Sequence, residues 1–389
     1  MPTQSFFRDL SVSAATAGFV TVLVGVTSSI AIVFQAAQAL SATPAQIASW
    51  LLALGLGMGL TGVALSLRYR QPINIAWSTP GAALIAVTSG YSMPEAIGAF
   101  IACGALITLF GVTGWFERLI DRIPIALAAA LLAGVLTRFA LDGVLAAKAA
   151  PWLVVPMFAV YLLGRRFFAR YAVLGVLVVG VVIASAQGTI NLDALQGGIA
   201  WPEWVTPVWS WGAIIGLGLP LWIVTMASQN LPGVAAIRAN GYDAPISPLI
   251  ITTGVVTMLL APFGGYALNL SAITAAITLG PEADPDRTRR YSAAIVAGLL
   301  YALLGIAGAA LAGVLIAFPK PLVAAIAGLA LLSSIASGLA LAVKEDAHRD
   351  AALVTFLVTL SGVTFFGIAS ALWGIVAGAL ALAVQRRRA

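Results

Sequence analysis

An apolar stretch near the start of the sequence contains polar residues beside two prolines. It reads PINIAWSTPGAAL (72–84). Pro72 and Pro80 disfavour helix immediately before them, which predicts a short extended segment. Ser78 and Thr79 then precede a short helix whose first turn suits Pro80. The segment is therefore predicted to be half extended and half helical, with two hydroxyl groups at the junction.

A second apolar stretch has the same character. It reads FGGYALNLSAITAAITLG (263–280). Gly264 and Gly265 disturb its start, and Asn269 or Ser271 can cap the short helix that follows. The stretch is predicted to break at Asn269, again with polar side chains at the start of a helix.

Two such junctions could together bind an anion. Each helix N-terminus offers unpaired N–H groups and about half a positive charge, so an anion between the two needs neither Lys nor Arg. The alternative is that Pro and Gly only kink two ordinary membrane helices, which tolerate both residues. The two breaks occupy matching places along the chain, as described below, and this coincidence favours a binding site.

The elements that must position these residues are membrane-spanning helices. The chain has 389 residues, of which 61% are hydrophobic and 9% are charged, whereas soluble domains carry about 25% charged residues. The sequence predicts an all-α polytopic membrane protein with 14 spans, at 11–37, 45–66, 73–90, 94–115, 123–144, 150–164, 171–187, 208–230, 247–262, 265–280, 291–317, 321–342, 351–366 and 368–385.

The basic residues predict the orientation. Most of the 20 Lys and Arg residues fall in alternate connections, and the connection 188–206 has none. Because positive residues concentrate on the cytoplasmic side, both termini are predicted to be cytoplasmic in a bacterial inner membrane. The net charge of +6 thus reflects topology and contact with membrane lipid, and does not indicate nucleic-acid binding.

The interrupted segments are the third span of each set of seven. The halves are predicted to be repeats, 1–187 and 207–389, joined by the periplasmic connection 188–206. Because seven is odd, the second half enters the membrane from the opposite face. The sequence therefore predicts a 7+7 inverted repeat with broken half-helix spans 3 and 10.

The sequence resembles the BenE-type benzoate/proton symporter family. Three stretches carry the resemblance: SQNLPGVAAIRANGYDAP (228–245), LNLSAITAAITLGPEADPD (268–286) and KEDAHRDAALVTFLVTLSGVTFFGIASALWGIVAG (344–378). The family is similar to nucleobase-ascorbate and sulfate carriers. The resemblance implies a core domain from spans 1–4 and 8–11, a gate domain from spans 5–7 and 12–14, and uptake of benzoate with a proton. A homodimer through the gate domain is a further possibility that the sequence leaves open.

One departure from the wider superfamily bears on the substrate. Nucleobase carriers typically place acids in span 8 and at the start of the span 10 half-helix. Here Ser228, Gln229 and Leu268 stand at the matching places, and Asn269 is retained. Neutral side chains suit an anionic substrate, which a carboxylate would repel.

Further binding candidates lie in spans 1, 3 and 8. They are Ser28 and Ser29, the aromatic Trp77, and the amides Gln229 and Asn230. A membrane pocket for a ring needs an apolar wall and few polar groups. The alternatives are that the serines bond to the preceding turn of their own helix and that Trp77 only packs.

Two acids are candidates for proton coupling. Asp142 lies four residues after Arg138 in span 5, where an ion pair that fixes packing is the alternative. Glu95 follows Pro94 at the start of span 4, where a first-turn acid also stabilises the helix.

Two other functions fit the sequence less well than transport. A passive anion channel would need a lining ring of charge, and none is apparent in any span. A membrane enzyme would need clustered His, Cys or acids, but the chain has one His and one Cys. No cofactor, metal or catalytic residue is predicted. A carrier of another small anion or of a nucleobase-like substrate stays open.

Overall fold

A computed structural model of the protein describes residues 6–115, 125–167, 172–195, 198–271, 274–281, 283–363, 365 and 370–386. The start of predicted span 5, the end of predicted span 13 and the start of predicted span 14 lie outside these ranges.

The first half of the chain contains one strand and eight helices within the described residues. They are α1 Phe6–Asp9, α2 Val12–Ala39, α3 Pro44–Tyr69, β1 Ile75–Trp77, α4 Thr79–Val87, α5 Met93–Val112, α6 Ile125–Ala149, α7 Pro151–Phe167 and α8 Ala172–Ala186.

The second half begins with a long helix, α9, at residues 211–239. Two π-helical turns, Ile214–Gly218 and Met226–Asn230, interrupt it. The elements after α9 are α10 Ile246–Leu260, β2 Leu268–Leu270, α11 Ala275–Leu279, α12 Tyr291–Ile306, α13 Gly308–Ala317, α14 Lys320–Ala342, α15 Arg349–Ser361 and α16 Ser370–Arg386.

Many of the helices are long and apolar enough to cross a membrane. Among the described residues six pass that test singly, and two bent pairs bring the number to eight. The bent pairs are Val12–Thr27 with Ser29–Ala39, at 41°, and Tyr291–Ile306 with Gly308–Ala317, at 66°. The protein is therefore a mostly helical membrane protein.

The bend in α2 has a local cause. The Thr27 hydroxyl donates to the Leu23 carbonyl at 2.7 Å, and the Ser29 hydroxyl donates to the Gly25 carbonyl at 2.6 Å. Hydroxyls that bond to the preceding turn compete with the helix ladder and bend membrane helices. Of the two serines predicted as binding candidates, Ser29 thus bonds to the preceding turn of its own helix, and Thr27 does the same.

The prediction of a purely helical chain needs one correction. β1 and β2 form a two-stranded antiparallel sheet, with Ala76 opposite Asn269. The pairing continues beyond the strands, because Ser78 N donates to Ala267 O at 3.1 Å and Ser271 N donates to Asn74 O at 2.9 Å. Extended backbone inside a membrane must satisfy its polar groups within the protein, and the pairing does this for both segments at once.

Small residues let the helices approach closely. α3 packs on α12, α5 on α10, and α6 on α14. A methyl group added at Gly59 would meet the Gly298 carbonyl, and one added at Gly104 would lie 2.9 Å from the Gly254 carbonyl. Such contacts replace the hydrophobic effect as the main source of helix association in lipid.

The connection between the two halves crosses the ends of several helices. Asn191 N donates to Ala317 O at 2.9 Å, and Val205 N donates to Pro262 O at 2.8 Å. Its tryptophans are exposed, and Trp201 shows 78% of its surface. Exposed Trp at helix ends is typical of the membrane–water interface.

Candidate binding site

A cavity of about 320 Å³ lies where the two paired strands meet the surrounding helices. This volume is near the lower limit of small-molecule sites, about 300–1,000 Å³. One wall is formed by α2, by the strand–helix junctions and by α9. Among the predicted site residues, this wall includes Ser29, Trp77, Thr79, Gln229 and Ser271.

The opposite wall is formed by α6, α7, α8 and α14. It is mostly apolar, with Leu136, Val173 and Leu331 among its residues. Tyr161 and Arg165 from α7 also line it. The cavity thus lies between two groups of helices, and the polar donors are concentrated on one side.

Trp77 is fixed as part of the wall. Its ring nitrogen donates to the Ser29 hydroxyl at 2.9 Å, and the side chain is 6% exposed. Because the indole is tied to α2, the aromatic face has one orientation toward the cavity. The Ser28 side chain lies outside the described residues.

A cluster of hydroxyls also borders the cavity. The Ser271 and Thr274 hydroxyls are 2.6 Å apart, and the Thr274 side chain also hydrogen-bonds Tyr301. Tyr301 belongs to α12 and was not among the predicted site residues. No feature of the sequence around it distinguishes this tyrosine from a packing residue.

Three predicted binding residues lie behind the cavity wall and support the backbone. The Ser78 hydroxyl accepts from Gly81 N at 3.1 Å and from the Thr225 hydroxyl at 2.9 Å. Ser78 is fully buried and caps α4. It therefore fixes the direction of the helix whose first residue, Thr79, borders the cavity.

The amides of Asn230 and Asn269 are also fully buried. The Asn230 side-chain oxygen accepts from Leu270 N at 2.9 Å, which ties α9 to β2. The Asn269 amide donates to Ala267 O at 3.1 Å, and its side-chain oxygen has no hydrogen-bond partner among the described residues. In this conformation neither amide lines the cavity.

The second π turn in α9 separates two neighbouring amides. Gln229 lines the cavity, whereas the adjacent Asn230 points its oxygen at β2. π turns widen the helix locally and are frequent at functional sites. Here the turn presents one amide to the cavity and the next to the strand.

The candidate proton-coupling residues stand away from the cavity. Glu95 accepts from Ser92 N at 2.9 Å and caps α5. Asp142 is exposed on α6 and forms no salt bridge with Arg138. The direct ion pair that was the alternative for Asp142 is therefore absent: the Arg138 guanidinium lies beside Gly362 at the end of α15, and its charge interacts with Asp142 only at longer range.

The electrostatics of the cavity are simple. Among its described lining residues, Arg165 alone carries a formal charge, and the other polar groups are hydroxyls, amide and indole. No group of three or more His, Cys, Asp or Glu in the described ranges could hold a metal ion. The arrangement can donate hydrogen bonds to an anion while an aromatic wall contacts an apolar part.

A helical membrane fold around a central cavity at broken spans defines a membrane transport protein. Two solved structures share its fold. SLC26A9 aligns with TM-score 0.57 and 15% identity, over 94% of this chain and 65% of that one. The transmembrane domain of the cyanobacterial bicarbonate transporter BicA aligns with TM-score 0.57 and 14% identity, over 97% of each chain.

The sequence comparisons identify the family. The family model for the benzoate membrane transport protein matches residues 8–384. Inner membrane protein YdcO of Escherichia coli is 47% identical over 95% of this chain and 94% of its own length. The benzoate membrane transport protein of Acinetobacter baylyi is 40% identical over 96% of this chain and 95% of its own length. The chain belongs to the benzoate membrane transport protein family, and membership assigns it transport, not catalysis.

Proposed function

We propose that the protein is a secondary transporter that takes up benzoate, or a similar small aromatic carboxylate, together with a proton. The observation that carries the proposal is the cavity, which combines neutral hydrogen-bond donors with a fixed Trp77 ring. A carboxylate would accept from donors at the junctions, and the aromatic ring would pack on the indole face.

The proposed position of the carboxylate is beside Thr79, Gln229 and Ser271. All three line the cavity. Thr79 is the first residue of α4, so the positive end of that helix points to the same place. Neutral donors let the anion leave again, whereas a buried cation would hold it more tightly.

We further propose that 1–187 and 207–389 are inverted repeats. In such a repeat, span n of the first half corresponds to span n+7 of the second. The helices α3 and α12 belong to spans 2 and 11, so their packing should recur between spans 9 and 4, which are α10 and α5. Both packings are observed. The pairing of β1 with β2 and of α6 with α14 each map onto themselves. Contacts that exchange in this way support a two-fold relation between the halves.

The core and gate domains remain our proposal for transport. The half-helices, α2 and α9 would form part of the core, and α6, α7, α8 and α14 part of the gate. The cavity between them would serve both faces of the membrane by movement of the core against the gate. The expected homodimer contact would lie on the gate.

The proposed orientation places both termini in the cytoplasm, with the cavity reaching the cytoplasmic end of α7. The native Cys103 is buried, so a thiol reagent should label only a cysteine that is added at the surface. In intact cells Asp193→Cys should react with an impermeant maleimide, whereas Lys344→Cys should react only after the membrane is opened. Both positions are exposed. Labelling of both from outside would contradict the predicted topology.

The function is tested with purified protein in liposomes. We expect saturable benzoate uptake that is accelerated by an acidic exterior and abolished by a protonophore. Adenine, sulfate and bicarbonate serve as competitors, since the fold is shared with a bicarbonate transporter. Failure of benzoate to bind or compete would contradict the substrate, and flux that never saturates would indicate a channel.

A further inference from the structure

Within the described part of the chain, one charged residue lines the cavity. It belongs to the wall opposite the half-helices. Arg165 lies in the last turn of α7. The sequence alone explains it as a topology residue at a cytoplasmic helix end, where a cation also interacts favourably with the helix dipole. Neither explanation requires its side chain to border the cavity.

The neighbouring arginine shows that the position is specific. Arg166 is exposed like Arg165 and occupies the same helix end, but it does not line the cavity. Its guanidinium lies 5.6 Å from the centre of the Phe167 ring. The two residues share charge, exposure and sequence context, so they differ mainly in access to the cavity.

The side chains near Arg165 leave its charge available to a ligand. No described carboxylate forms a salt bridge with it. Tyr161, one turn earlier on α7, also lines the cavity and interacts electrostatically with Arg165. A cation beside an aromatic hydroxyl at the cavity mouth is suited to attract a carboxylate.

We propose that Arg165 is a binding residue at the cytoplasmic mouth of the cavity, which strengthens the affinity for the anionic substrate on that side only. The inference rests on the proposed function and adds a residue to it. Because Arg165 belongs to the proposed gate, a substrate carried by the core meets its charge only when the cavity is open to the cytoplasm. The guanidinium thus raises the substrate affinity of the cavity when it is open to the cytoplasm, and leaves the affinity of the outward-open cavity unchanged.

The test compares Arg165→Gln with Arg166→Gln in membrane vesicles of both orientations, with benzoate as the probe. In inside-out vesicles, Arg165→Gln is expected to raise the apparent Kd about two- to five-fold at low ionic strength, the range for an exposed charge pair. At high salt the difference should shrink, because screening removes it. Arg166→Gln should match the parent, and Arg165→Lys should retain most of the affinity.

The outcomes separate the two proposals. In right-side-out vesicles the apparent Kd of Arg165→Gln should equal that of the parent. An equal effect of both glutamine variants would indicate a general surface potential and would overturn the role of Arg165, as would no effect of Arg165→Gln. If the parent itself does not bind benzoate, the proposed function fails and the inference fails with it.

Discussion

Replacement of Gly25 by Ala is expected to remove most substrate binding, although it adds a single methyl group. Gly25 lines the cavity, and a side chain there would collide with the Tyr301 hydroxyl. Tyr301 is 5% exposed and hydrogen-bonded to Thr274, so its ring has little room to retreat. Overpacking of this kind costs about 1–3 kcal/mol. Benzoate binding and thermal unfolding of the purified variant measure the two consequences.

A second substitution should relieve the collision. After the Tyr301 hydroxyl, the nearest atoms to the added methyl are the Tyr301 ring carbon that bears it and a Thr274 methyl, both at 3.5 Å, which is an ordinary contact. Gly25→Ala combined with Tyr301→Phe should therefore be more stable than Gly25→Ala alone. Strict additivity of the two single effects would show that Gly25 and Tyr301 are not in contact.

Two adjacent amides are expected to give opposite phenotypes. Gln229→Ala should weaken benzoate binding about 10- to 150-fold, the value of one hydrogen bond to a charged group, and leave thermal stability near that of the parent. Asn230→Ala leaves the buried Leu270 N–H without its acceptor, which costs about 1–3 kcal/mol of stability. Each variant serves as the control for the other.

The pair of measurements has a clear contrary outcome. If Asn230→Ala is as stable as the parent but has lost binding, its amide contacts the substrate directly, as the sequence first suggested. If Gln229→Ala binds benzoate normally, the carboxylate does not lie beside α9. Binding by calorimetry and unfolding by fluorescence distinguish these cases.

The breaks in the two apolar segments could be predicted because their causes are local. Pro72, Pro80 and Ser78 specify an extended segment followed by a capped helix, and the structure has β1 and α4 at this place. At the second place Gly264 precedes β2, Asn269 lies within that strand, and the short helix α11 follows. The pairing of the strands with each other is a long-range contact, and residue propensity carries no information about it.

Which of the candidate residues line the cavity, and which support the backbone behind it, could not be predicted. Gln229 and Asn230 are chemically similar neighbours, and only the π turn decides which one meets the cavity. Tyr301 and Arg165 come from distant parts of the chain and resemble ordinary packing and topology residues. Sequence spacing was also a poor guide to contact. Arg138 and Asp142 are four residues apart on one helix, but the Arg138 guanidinium packs beside Gly362 and forms no direct ion pair with Asp142.

The two-stranded sheet has a thermodynamic consequence for a carrier. Backbone hydrogen bonds from Ser271 N to Asn74 O and from Ser78 N to Ala267 O join the two broken segments into one unit. A site whose donors are fixed to one another keeps the same intrinsic dissociation constant wherever the unit moves. Accumulation of substrate then cannot come from a site that loosens during the cycle. In the proposed symport it must come from the free energy of the coupled proton, and groups outside the unit that meet the substrate on one side of the membrane change only the affinity on that side.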